Sequence, residues 1–132
     1  MCEDIYMSTF LLDKVNKVSL INEPLYYYRK RSDSIMGRAK QDNLCDLQLL
    51  DYRRERNAFF KQMNCAEFMK YSYADYFYWL IRLSKEYRKQ GQKKVSDSLY
   101  LEFKKEYSEI KGRISFEGRR KIKYRLFYWF GI

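Results

Sequence analysis

Histidine is missing altogether from this sequence of 132 residues. That absence removes imidazole acid–base catalysis, Ser-His and Cys-His nucleophile pairs, and most zinc sites the chain could build by itself. Cys2, Cys45 and Cys65 are an odd number at wide spacing, and no CxxC occurs. With no signal peptide in sight, they read as reduced thiols of a cytosolic protein. One proline and five glycines leave little turn material. Few turns favour a small number of long helices over many short strands. The longest apolar runs, residues 76–81 and 126–130, are far too short to span a membrane. Neither an Asp-x-Asp pair nor a Gly-rich phosphate loop is present.

What is abundant is positive charge and aromatic surface. The formal net charge is +10, and 14 Tyr with 9 Phe make any core aromatic rather than aliphatic. Such a charge calls for an anionic partner: nucleic acid, an anionic membrane or a phosphorylated ligand. The length suits one domain, or part of a larger one.

Glu3 and Asp4 precede Ile5, Met7, Phe10, Leu11 and Leu12, so a helix is predicted over about 5–15 with an acidic cap at its start. Val18–Ile21 reads as a short strand. Pro24 disfavours helix at Glu23, and residues 25–29 read as a second extended piece. Residues 29–37 form a basic, Ser-containing loop. Three helices are then predicted, over about 38–63, 66–90 and 94–111. Their apolar stripes are Cys45, Leu49, Tyr52, Phe59 and Met63 in the first. The second has Met69, Tyr73, Tyr76, Leu80, Leu83 and Tyr87, widened by Phe77 and Ile81. The third has Val95, Leu99, Phe103, Tyr107 and Ile110. Asn64 is the expected cap of the second helix, Gly91 its stop and Gly112 the stop of the third. The stripes imply a small antiparallel helical bundle.

The opening has a more specific pattern. An acidic pair, Glu3-Asp4, opens an amphipathic helix. A short apolar strand follows, then Asn22-Glu23-Pro24-Leu25-Tyr26-Tyr27-Tyr28-Arg29, then Arg31 with residues 32–35. In order and spacing this resembles the C-terminal part of the family 2 glycosyltransferases, GT-A fold enzymes of bacterial surface polysaccharide synthesis. The match covers residues 2–36. It implies inverting transfer of a sugar from a nucleotide-sugar donor to a glycan or lipid-linked acceptor. Asp4 matches the general base, which accepts the acceptor hydroxyl's proton during attack, and Glu3 orients it or touches the acceptor. Tyr28, Arg29 and Arg31 lie where a basic loop approaches the donor diphosphate. The resemblance also implies an N-terminal half that binds the nucleotide-sugar and a Mg or Mn ion through Asp-x-Asp. With neither here, the chain reads as a C-terminal fragment that is inactive alone, and no cofactor or metal ligand is assigned to it. From the residues alone, Asp4 reads as a helix cap, Arg29 and Arg31 as a solvated loop or salt-bridge partners, and Tyr26 and Tyr28 as packing residues of one strand face.

The last stretch is strongly basic. Residues 111–125 hold seven basic side chains and one acid, a local charge of +6, and Leu-Phe-Tyr-Trp-Phe follows at 126–130. As a helix from Ser115, it gathers Ile122, Leu126 and Trp129 or Phe130 on one side. Arg119, Arg120, Lys121, Lys123 and Arg125 fall mostly elsewhere. Two readings stand. In one, the apolar side packs on the bundle. In the other, the basic residues and Trp129 meet an anionic membrane surface. No nucleic-acid-binding motif supports a third. The expected architecture is therefore mainly α. Residues 1–37 form the edge of a GT-A α/β domain with one or two strands, and 38–132 a helical extension with a basic aromatic tail at 113–132. The expected setting is the cytoplasm or the inner face of the cell membrane, as a possible homodimer. The alternative function is a non-catalytic helical module for dimerisation or membrane docking.

Overall fold

A computed structural model of the chain describes residues 3–27 and 44–131, without the side chains of 3–6, 12 and 44–46. It is mainly α. Among the described residues there are five helices: α1 (Glu3–Lys14), α2 (Leu44–Gln62), α3 (Ala66–Lys89), α4 (Lys93–Ile110) and α5 (Gly118–Phe130). The chain divides into two compact units, Met1–Tyr52 and Arg53–Ile132. The domain limit expected at 37/38 lies outside the described residues.

In the first unit, α1 begins at Glu3, two residues before the predicted start, so the acidic pair lies within the first turn instead of capping it from outside. The Thr9 and Tyr52 hydroxyls hydrogen-bond at 2.9 Å, joining α1 to the first half of α2. Residues 15–27 form neither helix nor strand, so the strand expected at Val18–Ile21 is not formed. Leu20 is 95 % exposed and Tyr27 88 %. A β ladder needs a neighbouring strand for its N–H and C=O groups, and the described residues provide none.

The second unit is held by aromatic rings. Every residue of the stripe predicted on α3 is buried, together with Phe77 and Ile81. Phe77 is fully buried at the hub. It meets Phe103 of α4 at 4.9 Å, Tyr124 of α5 at 5.4 Å and Phe116 of the α4–α5 connection at 6.0 Å. Tilted and edge-on ring pairs of this kind each contribute about 0.5–1.5 kcal/mol beyond their buried area. Near the α3–α4 turn the buried small residues Ser84 and Ser96 let the two helices approach. The Ser84 hydroxyl donates to the Ser96 carbonyl oxygen at 3.1 Å. That turn is closed by Gly91, at φ +77°, with the Gln92 N–H donating to the Tyr87 carbonyl oxygen at 2.9 Å.

Three local expectations are corrected. Asn64 does not cap α3; it takes φ +50° in the turn, and Cys65 occupies the cap without a side-chain hydrogen bond. Asn tolerates the left-handed region better than most residues. On α2 the buried face includes Leu50, Tyr52, Arg53 and Asn57, while Met63 is exposed. Polar partners draw that face round: Asp75 receives Arg53 Nε at 2.9 Å and Arg56 Nη2 at 2.7 Å, and the Ser72 hydroxyl donates to Asn57 Oδ1. The last helix starts at Gly118 rather than Ser115. Ile114 and Phe116 are buried on either side of exposed Ser115, which is an extended alternation and not a helical one.

Candidate functional site

The basic tail folds as α5 on α3 and α4, and its register decides what faces solvent. Phe127 is fully buried between Phe103, at 4.9 Å, and Tyr100, at 5.3 Å. Tyr124 is also buried, and its hydroxyl donates to the Ala74 carbonyl oxygen at 3.2 Å. Burial pushes the Tyr124 phenol up to about 12. Tyr128 is half-buried. Its carbonyl oxygen accepts from the Tyr100 hydroxyl at 3.0 Å, and Lys104 and Lys111 lie over its ring at 5.4 and 5.7 Å. These contacts fix the helix about its axis.

The opposite side is then forced outward. Ile122, Leu126 and Trp129, spaced four and three apart, are 61, 46 and 72 % exposed, and Phe130 is 66 % exposed. The packed-tail reading therefore fails for these residues: Tyr124 and Phe127 carry the packing instead. Lys121 and Arg125 run along one flank of the exposed strip, and Arg119 and Lys123 along the other. All four, and Arg120, are exposed, and α5 has no acidic residue. The result is an apolar ridge between two basic rails.

Each rail opens on a cleft. Beside Lys123 and Arg120, a cleft of about 370 Å³ is lined by Tyr71, Asp75, Tyr78 and Tyr124. Beside Lys121 and Arg125, a cleft of about 250 Å³ is bounded by Tyr107, Lys111, Ser115 and Trp129. No acidic residue lines this second cleft. Burial raises the Tyr107 phenol above its ordinary value, against the opposing charge of Arg125.

A third polar group is structural. Arg54 makes a bidentate pair with Glu102, at 2.5 and 2.8 Å, and the Tyr76 hydroxyl donates to the same carboxylate. Burial pushes the Glu102 carboxyl up, but the hydrogen bonds from Arg54 and Tyr76 outweigh it and hold it below the usual range. Burial raises the Tyr76 phenol, and the Glu102 charge raises it further. Both effects are those of a well-paired, partly buried ion pair linking α2, α3 and α4.

The residues implied by the resemblance fare differently. Glu3 and Asp4 stand in the first turn of α1, with side chains outside the described ones. Tyr28, Arg29 and Arg31 lie outside the described residues altogether. Arg119, Arg120, Lys121, Lys123, Arg125 and Trp129 are brought together on the exposed part of α5. Sequence reasoning missed Tyr71, Asp75 and Tyr78, although their four- and three-residue spacing on α3 and that of Arg120 and Lys123 on α5 give the signal. It also missed Lys111 and Tyr107. Among the described residues no group of three or more acidic or Cys side chains could hold a metal ion, and no helix is long and apolar enough to cross a membrane. No family model, no curated protein and no solved structure matches the chain.

Proposed function

We propose that the helical part of this chain is a non-catalytic docking module that lays α5 on an anionic membrane surface. One observation carries the reading: the ridge of Ile122, Leu126 and Trp129 is exposed between basic rails while Tyr124 and Phe127 hold the helix to the bundle. Aromatic and branched side chains at the headgroup level, with cations beside them, are the chemistry of an interfacial helix. Each basic side chain near an anionic surface contributes about 1 kcal/mol, and salt screens that term. The expected result is co-sedimentation with vesicles of phosphatidylcholine plus phosphatidylglycerol, and weak co-sedimentation with phosphatidylcholine alone. The difference shrinks as salt is raised. Equal binding to both vesicles would sink the proposal.

The protein served by this module is proposed to be a family 2 glycosyltransferase, with this chain as its acceptor-side end. Support comes from the order of Glu3-Asp4, Asn22 to Arg29 and Arg31, and from the position of the acidic pair in the first turn of α1. At a helix N-terminus a carboxylate is favoured in its ionised form, so Asp4 is a weak base whose value lies in placement. The nucleotide-sugar and its Mg or Mn ion belong to the half that the resemblance implies upstream. In the full-length enzyme Asp4→Asn is expected to abolish transfer and preserve nucleotide-sugar binding; near-normal turnover would reduce Asp4 to a first-turn acid that only stabilises α1. A coding sequence upstream of Met1 with no sheet-forming, Asp-x-Asp half would remove the assignment.

A further inference from the structure

The two clefts beside α5 differ in one respect that matters for ligand choice. The cleft under Arg120 and Lys123 contains Asp75, already held by Arg53 and Arg56. The cleft under Lys121 and Arg125 contains no acid. Instead it presents three cations, Lys111, Lys121 and Arg125, and two hydroxyls, Tyr107 and Ser115. The three cations come from two places: Lys111 from the cap that ends α4, Lys121 and Arg125 from one side of α5. Trp129 forms part of the wall and is also part of the exposed ridge, so the cleft opens at the edge of the docking face.

We propose that this cleft binds a phosphomonoester group, presented by a lipid headgroup at the membrane surface where α5 lies. The proposal rests on the docking reading for the source of the ligand, and on the cleft alone for its chemistry. A phosphomonoester carries a charge of about −1.5 to −2 at neutral pH and three acceptor oxygens. A phosphodiester carries one charge and two free oxygens. Three cationic and two hydroxyl-bearing side chains lining one cleft match the monoester, since charge-assisted hydrogen bonds are the strong ones and Arg supplies two in parallel. At about 250 Å³ the cleft has room for a phosphate and the first atoms of its ester, not for a whole lipid. The acyl chains would remain in the bilayer beside Trp129.

Lys111 provides the test, because it lines the cleft and lies outside α5. Binding is measured on phosphatidylcholine vesicles carrying phosphatidic acid, a monoester, or phosphatidylglycerol, a diester, at matched surface charge. The chain is expected to prefer phosphatidic acid by about tenfold, one charge-assisted hydrogen bond's worth. Lys111→Gln should bring that ratio close to one while weakening phosphatidylglycerol binding by no more than about fivefold, the share of one lost cation, and Lys111→Arg should keep the preference. Circular dichroism verifies that both variants fold. Glycerol 3-phosphate, which has no acyl chains, then separates the sources by amide NMR. Shifts at Ser115 and Arg125 that vanish in Lys111→Gln show that any phosphomonoester enters the cleft. Absence of shifts, with the lipid preference intact, assigns the headgroup in its membrane setting. Equal affinity for the two lipids without glycerol 3-phosphate shifts overturns the cleft and leaves docking standing. Failure to bind either vesicle, with the shifts present, overturns docking and leaves the cleft standing.

Discussion

Two aromatic residues on α5, two positions apart, should give opposite phenotypes. Phe127 is fully buried and meets two rings edge-on, at 4.9 Å and 5.3 Å. Truncating a buried Phe to Ala costs about 3–5 kcal/mol, from lost transfer energy plus the cavity left behind. Against a domain stability of about 5–15 kcal/mol, that is a large fraction. Trp129 is 72 % exposed and touches Tyr128 edge-on at 5.3 Å. Trp129→Ser should change folding stability by less than about 0.5 kcal/mol, as exposed substitutions do. At a membrane the costs reverse. If docking removes about 80 Å² of the Trp129 ring from water, at about 25 cal/mol per Å² the loss is about 2 kcal/mol, roughly a 30-fold weaker partition. Urea unfolding measures the first quantity and vesicle co-sedimentation the second. The reasoning is refuted if Trp129→Ser lowers the urea midpoint as far as Phe127→Ala does. That result would mean that the helix packs through its Ile122–Trp129 side.

The remaining predictions concern the polar contacts of the bundle. Glu102→Gln should destabilise the fold by about 2 kcal/mol at neutral pH, because Arg54 and Tyr76 lose a charged acceptor. Since the folded-state pKa of Glu102 is lowered, its contribution is present above the ordinary carboxylate range and lost as pH falls through the folded value. The variant should therefore show a shallower acid limb in urea midpoints measured from pH 6 to 2, and an unchanged limb would refute the pairing. Tyr124→Phe should cost about 1 kcal/mol through the lost hydrogen bond to Ala74. Because the Tyr124 phenol is raised to about 12, its contribution is full below the ordinary value of 10.0 and is lost as pH rises through about 12. Absorbance at the phenolate band should lose one late-titrating tyrosine in Tyr124→Phe, and an unchanged profile would contradict the burial.

The parts of this fold that were legible in the sequence are those where apolar spacing is long and unambiguous. On α3 the 24 residues carry one stripe, and every member of it is inside. On α2 the predicted stripe holds at Tyr52 and fails at Met63, and the buried Arg53 and Asn57 are missed because hydrogen-bonding partners on α3 bury them and periodicity of apolar residues cannot register a satisfied polar group. On α5 the 13 residues carry two possible apolar sides, Ile122–Leu126–Trp129 and Tyr124–Phe127. Spacing alone does not choose between them. The choice depends on a hydroxyl finding the Ala74 carbonyl and on a ring fitting between Phe103 and Tyr100. The second cleft was illegible for a similar reason. Lys111 and Arg125 are fourteen positions apart, and only the turn at 111–113 with the segment 114–117 after it places them on one hollow.

The central claim is that the exposed ridge of α5 enters a membrane interface. Trp129 reports on it most directly once Trp79→Phe leaves a single tryptophan. With anionic vesicles the emission of Trp129 is expected to shift to the blue and to be quenched by lipids brominated near the headgroup end of the acyl chain. Emission that stays at the wavelength of an exposed indole, unquenched at saturating anionic lipid, would contradict the account.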